Sequence, residues 1–496
     1  MMGSLLVGLV IVAALGLLGV QLLRTILGKG SWLEVLSFAY PIGAGVFTWL
    51  LFLLAWMGLR ITPISVAAAW ITALIGTTWT ARVRHGRVPR PSGRPRSDRR
   101  ETTEPNLPLG LTLTLALLLL IALALSVGRS YAAYDAMAGW AIKGYAIAAG
   151  GTVLAGRDWG MWGLNYPMNI MMQVAVFRLF GGDLLPESKL IFPIYLASAC
   201  LGIYLFWRRF QVAPLIAALG VVLLATNPVV FIQATNGYAN LPFAATITLG
   251  VLTGIDGIMK GDAHRQMLSG LLLGSAVWTR PEGILYAGLF ATAFLAISRL
   301  GRVGTARPLA ILTPLAVLSS PWLLFARMHY ELDPAWIQHG DTAGFAFANL
   351  LEGISNGGAQ LFNLYLIPRL FVERAVVPEN WGAYLPVIVS LVAISAFLRR
   401  TWCRGEIAHL AAAAAITILV PIALYFVLSV QGRPDFVELL RLDFDRAYLP
   451  AYLLTNVLAV SLVQPRDEQG GPTRWSPSRG GPAGLRQPIG EAGNGR

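Results

Sequence analysis

Apolar runs long enough to cross a bilayer succeed one another along most of this 496-residue chain, and no other feature limits its fold so strongly. They read at 5–27, 33–59, 62–80, 109–127, 190–207, 213–232, 241–258, 266–280, 283–298, 308–326, 383–398, 407–428 and 447–464. The composition agrees: 56% of residues are hydrophobic and 13% are charged, well below the roughly 25% of soluble domains. The expectation is an all-α, polytopic integral membrane protein with about 13 spanning helices. The 15 Trp and 15 Tyr gather at the ends of apolar runs, where amphipathic rings anchor a span.

The net charge of +13 would point to nucleic acid in a soluble protein. Here the arginines cluster in loops between spans, so no nucleic-acid partner is expected and topology accounts for the charge. The linker 81–108 carries Arg82, Arg84, Arg87, Arg90, Arg94, Arg96, Arg99 and Arg100 among prolines, and positive-inside asymmetry puts it in the cytoplasm. Alternation then places Arg208-Arg209, Lys260 with Arg265, Arg299 with Arg302 and Arg307, Arg399-Arg400 with Arg404, and the tail from Arg466 on the same side. The outer side receives 128–189, 233–240, the turn near 280–283, 327–382 and 429–446. The N-terminus lacks the basic start of a secretory signal, and its first run reads as an uncleaved helix.

The organisation expected is N-terminal spans over 1–80, the basic linker 81–108, a membrane-embedded region 109–464 with the outer loop 128–189, and a disordered cytoplasmic tail 465–496 rich in Gly, Pro, Arg and Ser. Two short stretches, 168–181 and 360–372, fit helices lying in the outer interface. Two cysteines and five scattered histidines offer neither a disulfide framework nor a metal-ligand spacing.

The unusual polar residues collect on the outer side. The first outer loop holds Asp135, Trp140, Lys143, Asp158, Trp159, Trp162 and Tyr166-Pro167. Further on come Asn236-Gly237-Tyr238-Ala239-Asn240-Leu-Pro242, then Trp278-Thr279-Arg280-Pro281-Glu282-Gly283, then Asp443-Phe-Asp445-Arg446-Ala-Tyr448-Leu-Pro450. With only 25 acidic residues in the chain, an aspartate beside aromatic rings at a bilayer surface is a candidate general base. Each residue also has a plainer role open to it. Asp135 can cap the helix starting at Ala136, Lys143 can extend to lipid head groups, and Arg280 can pair with Glu282.

These segments resemble the GT-C-fold glycosyltransferases, nearest to bacterial members related to protein O-mannosyltransferases, aminoarabinose transferases and rhizobial lipopolysaccharide-core transferases. Tyr134-Asp135-Ala-Met-Ala-Gly-Trp140-Ala-Ile-Lys143 followed by Tyr166-Pro167 is similar to their first outer loop. The turns at Tyr238–Pro242 and Thr279–Gly283 look like their Tyr-Ala-Asp-x-Pro and Thr-Lys-x-Glu-Gly turns, and Arg446 to Pro450 like their late Arg-x-x-x-Pro element. The four motifs occur in the family's order over roughly residues 130–450. Two positions depart from it: Asn240 stands for an aspartate, and Arg280 for a lysine, which keeps the charge and changes the hydrogen-bonding geometry.

The resemblance implies inverting transfer of a sugar from a polyprenyl-phosphate donor to a lipid, glycan or protein of the envelope, at the outer face of the plasma membrane. It implies Asp135 as base, Lys143, Arg280 and Arg446 as phosphate-binding cations, and Asp158 as a second acid. Trp140, Trp159, Tyr166, Tyr238, Asn240 and Glu282 would contact sugar or lipid. Some members use a divalent cation, for which Asp135 and Asp158 supply two oxygen ligands and no third is placed. The competing expectation is a transporter or flippase for a lipid-linked substrate, which calls for ionisable residues along the spans; Asp256 is the exception in spans otherwise nearly free of charge.

Overall fold

The computed structural model describes residues 2–28, 30–86, 107–131, 136–155, 166–181, 186–299, 307–330, 358–375, 405–430, 437, 444 and 447–463. Among them every regular element is helical. In chain order these are α1 (Met2–Leu27), α2 (Trp32–Trp56), α3 (Pro63–Gly86), α4 (Leu109–Gly128), a π-helical turn (Ala136–Ala141), α5 (Ile142–Gly150) and α6 (Asn169–Gly181). A short 3₁₀ turn (Pro186–Leu190) leads into α7 (Ile191–Arg209), followed by α8 (Pro214–Thr226), α9 (Pro228–Gln233), α10 (Asn240–Lys260), α11 (Ala263–Val277) and α12 (Gly283–Arg299). The last are α13 (Pro308–Tyr330), α14 (Gly358–Ala375), α15 (Gly405–Val430) and α16 (Leu449–Val463).

Eight of these helices are long and apolar enough to cross a membrane, and four more are apolar but shorter. The protein is therefore an α-helical multi-pass membrane protein. The expected span 383–398 and the tail 465–496 lie outside the described residues.

The expected run 213–232 is not one helix. Asn227 is extended and its side-chain oxygen accepts from the N–H groups of Val229 (3.0 Å) and Val230 (3.3 Å), while Pro228 opens α9. A residue before proline is disfavoured in the α conformation, and an asparagine there can cap the next helix, so the run breaks in two.

The expected interfacial helix at 168–181 also has a different environment. In α6 every residue from Asn169 to Phe177 is buried against protein, and α6 packs on α1, α2, α5 and the 3₁₀ turn. Its Asn169 and Gln173 find hydrogen-bond partners there, and Arg178 in its last turn lies over the Tyr145 ring.

Helix α10 is the axis of the fold, buried continuously from Asn240 to Ile258, with α7, α11, α12, α15 and α16 around it. Helices α1 and α2 pack antiparallel with Gly19 against the Ala39 carbonyl and Gly43 against the Leu15 carbonyl, a backbone approach that leaves no room for a Cβ. At their expected inner ends α2, α7, α10 and α11 are tied by ions. Asp256, 1% exposed, pairs with Arg209 (3.3 Å), Lys260 (2.5 Å) and Arg265 (2.5 Å), and Glu34, 3% exposed, pairs with Arg209 (2.9 Å) and Arg265 (3.1 Å). Asp262 caps α11 from the Gly261 turn and also reaches Arg265. The carboxylate that stood out within a span is thus a structural counter-ion.

Candidate functional site

The opposite ends of these helices bring three of the four sequence motifs together. The segment expected outside enters through Tyr131, whose hydroxyl lies 2.8 Å from that of Ser188 and whose ring packs against Gly237. Gly237 has φ +86°, and a Cβ there would sit 2.5 Å from the Tyr131 ring, so both the conformation and the contact require glycine. Tyr238 packs on the same small cluster of Tyr131, Ala136 and Ala141. Lys189 donates to the carbonyls of Arg129 (3.2 Å) and Ser130 (3.4 Å), which fixes the chain where it leaves α4.

The π-helical turn then carries Trp140 inward, 5% exposed, and its ring meets Tyr166 edge to face at 5.3 Å. Lys143 follows on α5. Its neighbour Gly144 lies so close to Val174 and the Met171 carbonyl that α5 sits directly on α6. That approach buries Lys143 to 2% exposure, with its ammonium 5.9 Å from the centre of the Tyr166 ring and no hydrogen-bond partner for Nζ. Burial pushes its pKa down to about 7. The expectation of a lysine reaching out to head groups is therefore replaced by a buried one, held by an aromatic face alone among the described residues.

The second and third motifs meet through their side chains. Asn240, 2% exposed at the start of α10, donates to Gln233 Oε1 (3.1 Å), and its own Oδ1 accepts from Arg280 Nη1. Arg280 grips Glu282 with both edges of its fork, Nε to Oε2 at 3.1 Å and Nη2 to Oε1 at 2.9 Å. Burial alone would raise the Glu282 pKa, but the adjacent guanidinium and its hydrogen bonds outweigh that and hold it below the usual carboxylate value. The Arg280 side chain keeps 17% exposure and that of Glu282 29%, so the pair faces the surface while rooted in the fold. An arginine at this position, in place of a lysine, can bind Glu282 and Asn240 at once.

Asp135 directly precedes the described turn, and it, Asp158, Trp159 and Arg446 lie outside the described residues. Among the described residues no three His, Cys, Asp or Glu side chains gather as metal ligands.

Asn169 and Gln173 escaped the sequence reading. They stand one turn apart on a helix whose other polar residue is Arg178 in its last turn, a spacing that places them on one face, and that was the available signal. The same holds for Thr48 of α2, which joins them in a buried network reaching the Trp278–Thr279 turn.

Comparison with family models, with curated proteins and with solved structures finds no match to this chain. The fold defines its class as a helical multi-pass membrane protein.

Proposed function

We propose that the protein is a membrane glycosyltransferase that moves a sugar from a polyprenyl-phosphate carrier to an envelope acceptor at the outer face of the plasma membrane. The observation that carries this reading is the meeting of three separated motifs at one end of the bundle, bearing a buried, unpaired lysine and an arginine held in a fork. A carrier lipid would lie in the bilayer with its phosphate at that depth, where Arg280 in its turn and Lys143 on α5 would meet it.

In the reaction an acceptor hydroxyl forms a bond to the anomeric carbon as the bond from that carbon to the lipid phosphate oxygen breaks. The hydroxyl proton passes to Asp135, and the electron pair leaves with the phosphate. Lys143, Arg280 and Arg446 offset the charge gained by the phosphate. A lysine with pKa near 7 takes up a full proton beside a phosphate dianion, so it is suited to bind the leaving group more strongly than the donor diester. Trp140, Tyr166 and Tyr238 offer aromatic surface to sugar or isoprene units. A divalent cation would need Asp135 and Asp158 plus further oxygens. Among the described spans Glu34 and Asp256, the carboxylates a transporter reading would use, are held in ion pairs with Arg209 and Arg265.

The test is turnover of polyprenyl-phosphate sugars by the purified protein in nanodiscs. Asp135→Asn should slow transfer by about 10²–10⁴ with little change in donor binding. Absence of transfer from any such donor, or an Asp135→Asn variant as fast as wild type, would overturn the proposal.

A further inference from the structure

Asn169 uses both ends of its amide and its backbone inside the protein. Its N–H donates to the Trp278 carbonyl (3.2 Å), and its Nδ2 donates to Thr279 Oγ1 (2.8 Å). Thr279 Oγ1 itself donates to the Ser275 carbonyl at 2.6 Å, so it can only accept from Asn169, which fixes the orientation of the amide. Asn169 Oδ1 accepts from Gln173 Nε2 (2.9 Å) and lies 2.8 Å from the Thr48 hydroxyl, which in turn accepts from Trp278 Nε1 at 3.0 Å. Gln173 is held by the Tyr40 hydroxyl at 2.9 Å. Asn169, Gln173, Thr48, Trp278 and Thr279 are all fully buried. The residue next in sequence to this closed network is Arg280.

We propose that Asn169 is the positioning residue of the outer site, tying the Trp278 carbonyl through its N–H, the Thr279 hydroxyl through its amide and, by way of Thr48, the Trp278 indole, so that Arg280 is presented in one place. This deepens the reading above and rests on it in treating Arg280 as a phosphate-binding group. The Thr48 hydroxyl has one proton to share between the Ala44 carbonyl and Asn169 Oδ1, both 2.8 Å away, while the amides of Asn169 and Gln173 are met at both ends; such a buried network holds the turn more sharply than apolar packing would. An aspartate at 169 has the same shape but loses the donor to Thr279, and a leucine removes the contacts to Thr48, Gln173 and Thr279 together.

Hydrogen–deuterium exchange on the full chain in nanodiscs tests the clamp without any ligand. In Asn169→Ala the peptide covering 278–283 should exchange about tenfold faster, with α10 and α16 at wild-type rates. Thr279→Val, which removes only the Nδ2 acceptor and the Ser275 bond, should shift the same peptide in the same direction. Unchanged exchange at 278–283, or an equal rise in every helix for both variants, overturns the proposal. A second arm measures binding of a polyprenyl monophosphate to wild type, Asn169→Ala, Arg280→Gln and the double variant. Positioning predicts that Asn169→Ala weakens binding about tenfold when Arg280 is present and adds nothing when it is absent; equal losses in both backgrounds count against it. If wild type binds no polyprenyl monophosphate, the glycosyltransferase reading falls, and the exchange result alone decides the role of Asn169.

Discussion

Lys143 is the residue whose behaviour departs furthest from its type. Its folded-state pKa lies near 7 against an ordinary 10.5, so between those values the unfolded chain binds the extra proton and the folded one does not. Stability contributed through this group therefore rises with pH from about 7 to 10.5. Lys143→Met should remove that slope and raise the unfolding temperature at pH 7, while abolishing the gain in phosphate affinity that protonation confers. In wild type, polyprenyl-monophosphate affinity should fall toward tenfold per unit above pH 7, a trend absent from the Met variant. Glu282 works in the opposite sense: its depressed pKa gives stability that is present above its ordinary 4.5 and lost as the pH falls through the lower folded value. Arg280→Gln should weaken phosphate binding at least about tenfold and Arg280→Lys only partly restore it, since a lysine lacks the fork. The exposed Arg299, at the opposite end of α12, should tolerate the same change; equal tolerance at both positions would leave Arg280 as an anchor.

At the level of helices, the ion cluster ties α2, α7, α10 and α11, and α1 meets α2 at backbone distance. Removing one member of a buried ion pair costs about 3–5 kcal/mol because its partners stay buried. Asp256→Asn leaves Arg209, Arg265 and Lys260 short of a counter-ion, and chemical unfolding in detergent should show a loss of that order. Lys260→Gln should cost far less, since its side chain is 42% exposed. Gly43→Ala forces α1 from α2, because the new Cβ meets the Leu15 carbonyl, and a loss of about 1–3 kcal/mol is expected from such overpacking. How far these elements were legible varied with the physics behind them. Hydropathy runs located the long helices well, because burial in lipid acts on residue type. The break at Asn227-Pro228 was equally local and could have been read from the dipeptide. The burial of α6 could not, since its amphipathic pattern suits a lipid surface and a protein groove alike.

For the molecule as a whole, the arginine sorting and the contacts support one threading. The start of α2, the ends of α7 and α10 and the start of α11 meet in the ion cluster, and each is expected on the inner side. The turns at 237–240 and 278–282, expected outside, meet at the other end through Asn240 and Arg280. A reporter fused after Arg94 should accordingly be cytoplasmic and one after Arg157 extracytoplasmic. Both on one side would undo the threading.

Residue type and order were enough to establish a helical membrane protein, and to give an expected orientation with a set of candidate residues on one side. Those properties follow from hydropathy and charge, which each residue carries wherever the chain places it. Which candidates touch was decided by packing. The Gly144 contact buries Lys143 and depresses its pKa; the fork of Arg280 is engaged with Glu282 and Asn240; Asp256 is neutralised by three cations. A pKa or a hydrogen bond depends on neighbours that are 40 residues away in the case of Arg280 and Asn240, and 110 for Asn169 and Thr279. Such neighbours exist only once the helices have come together, and composition or periodicity carries no record of them.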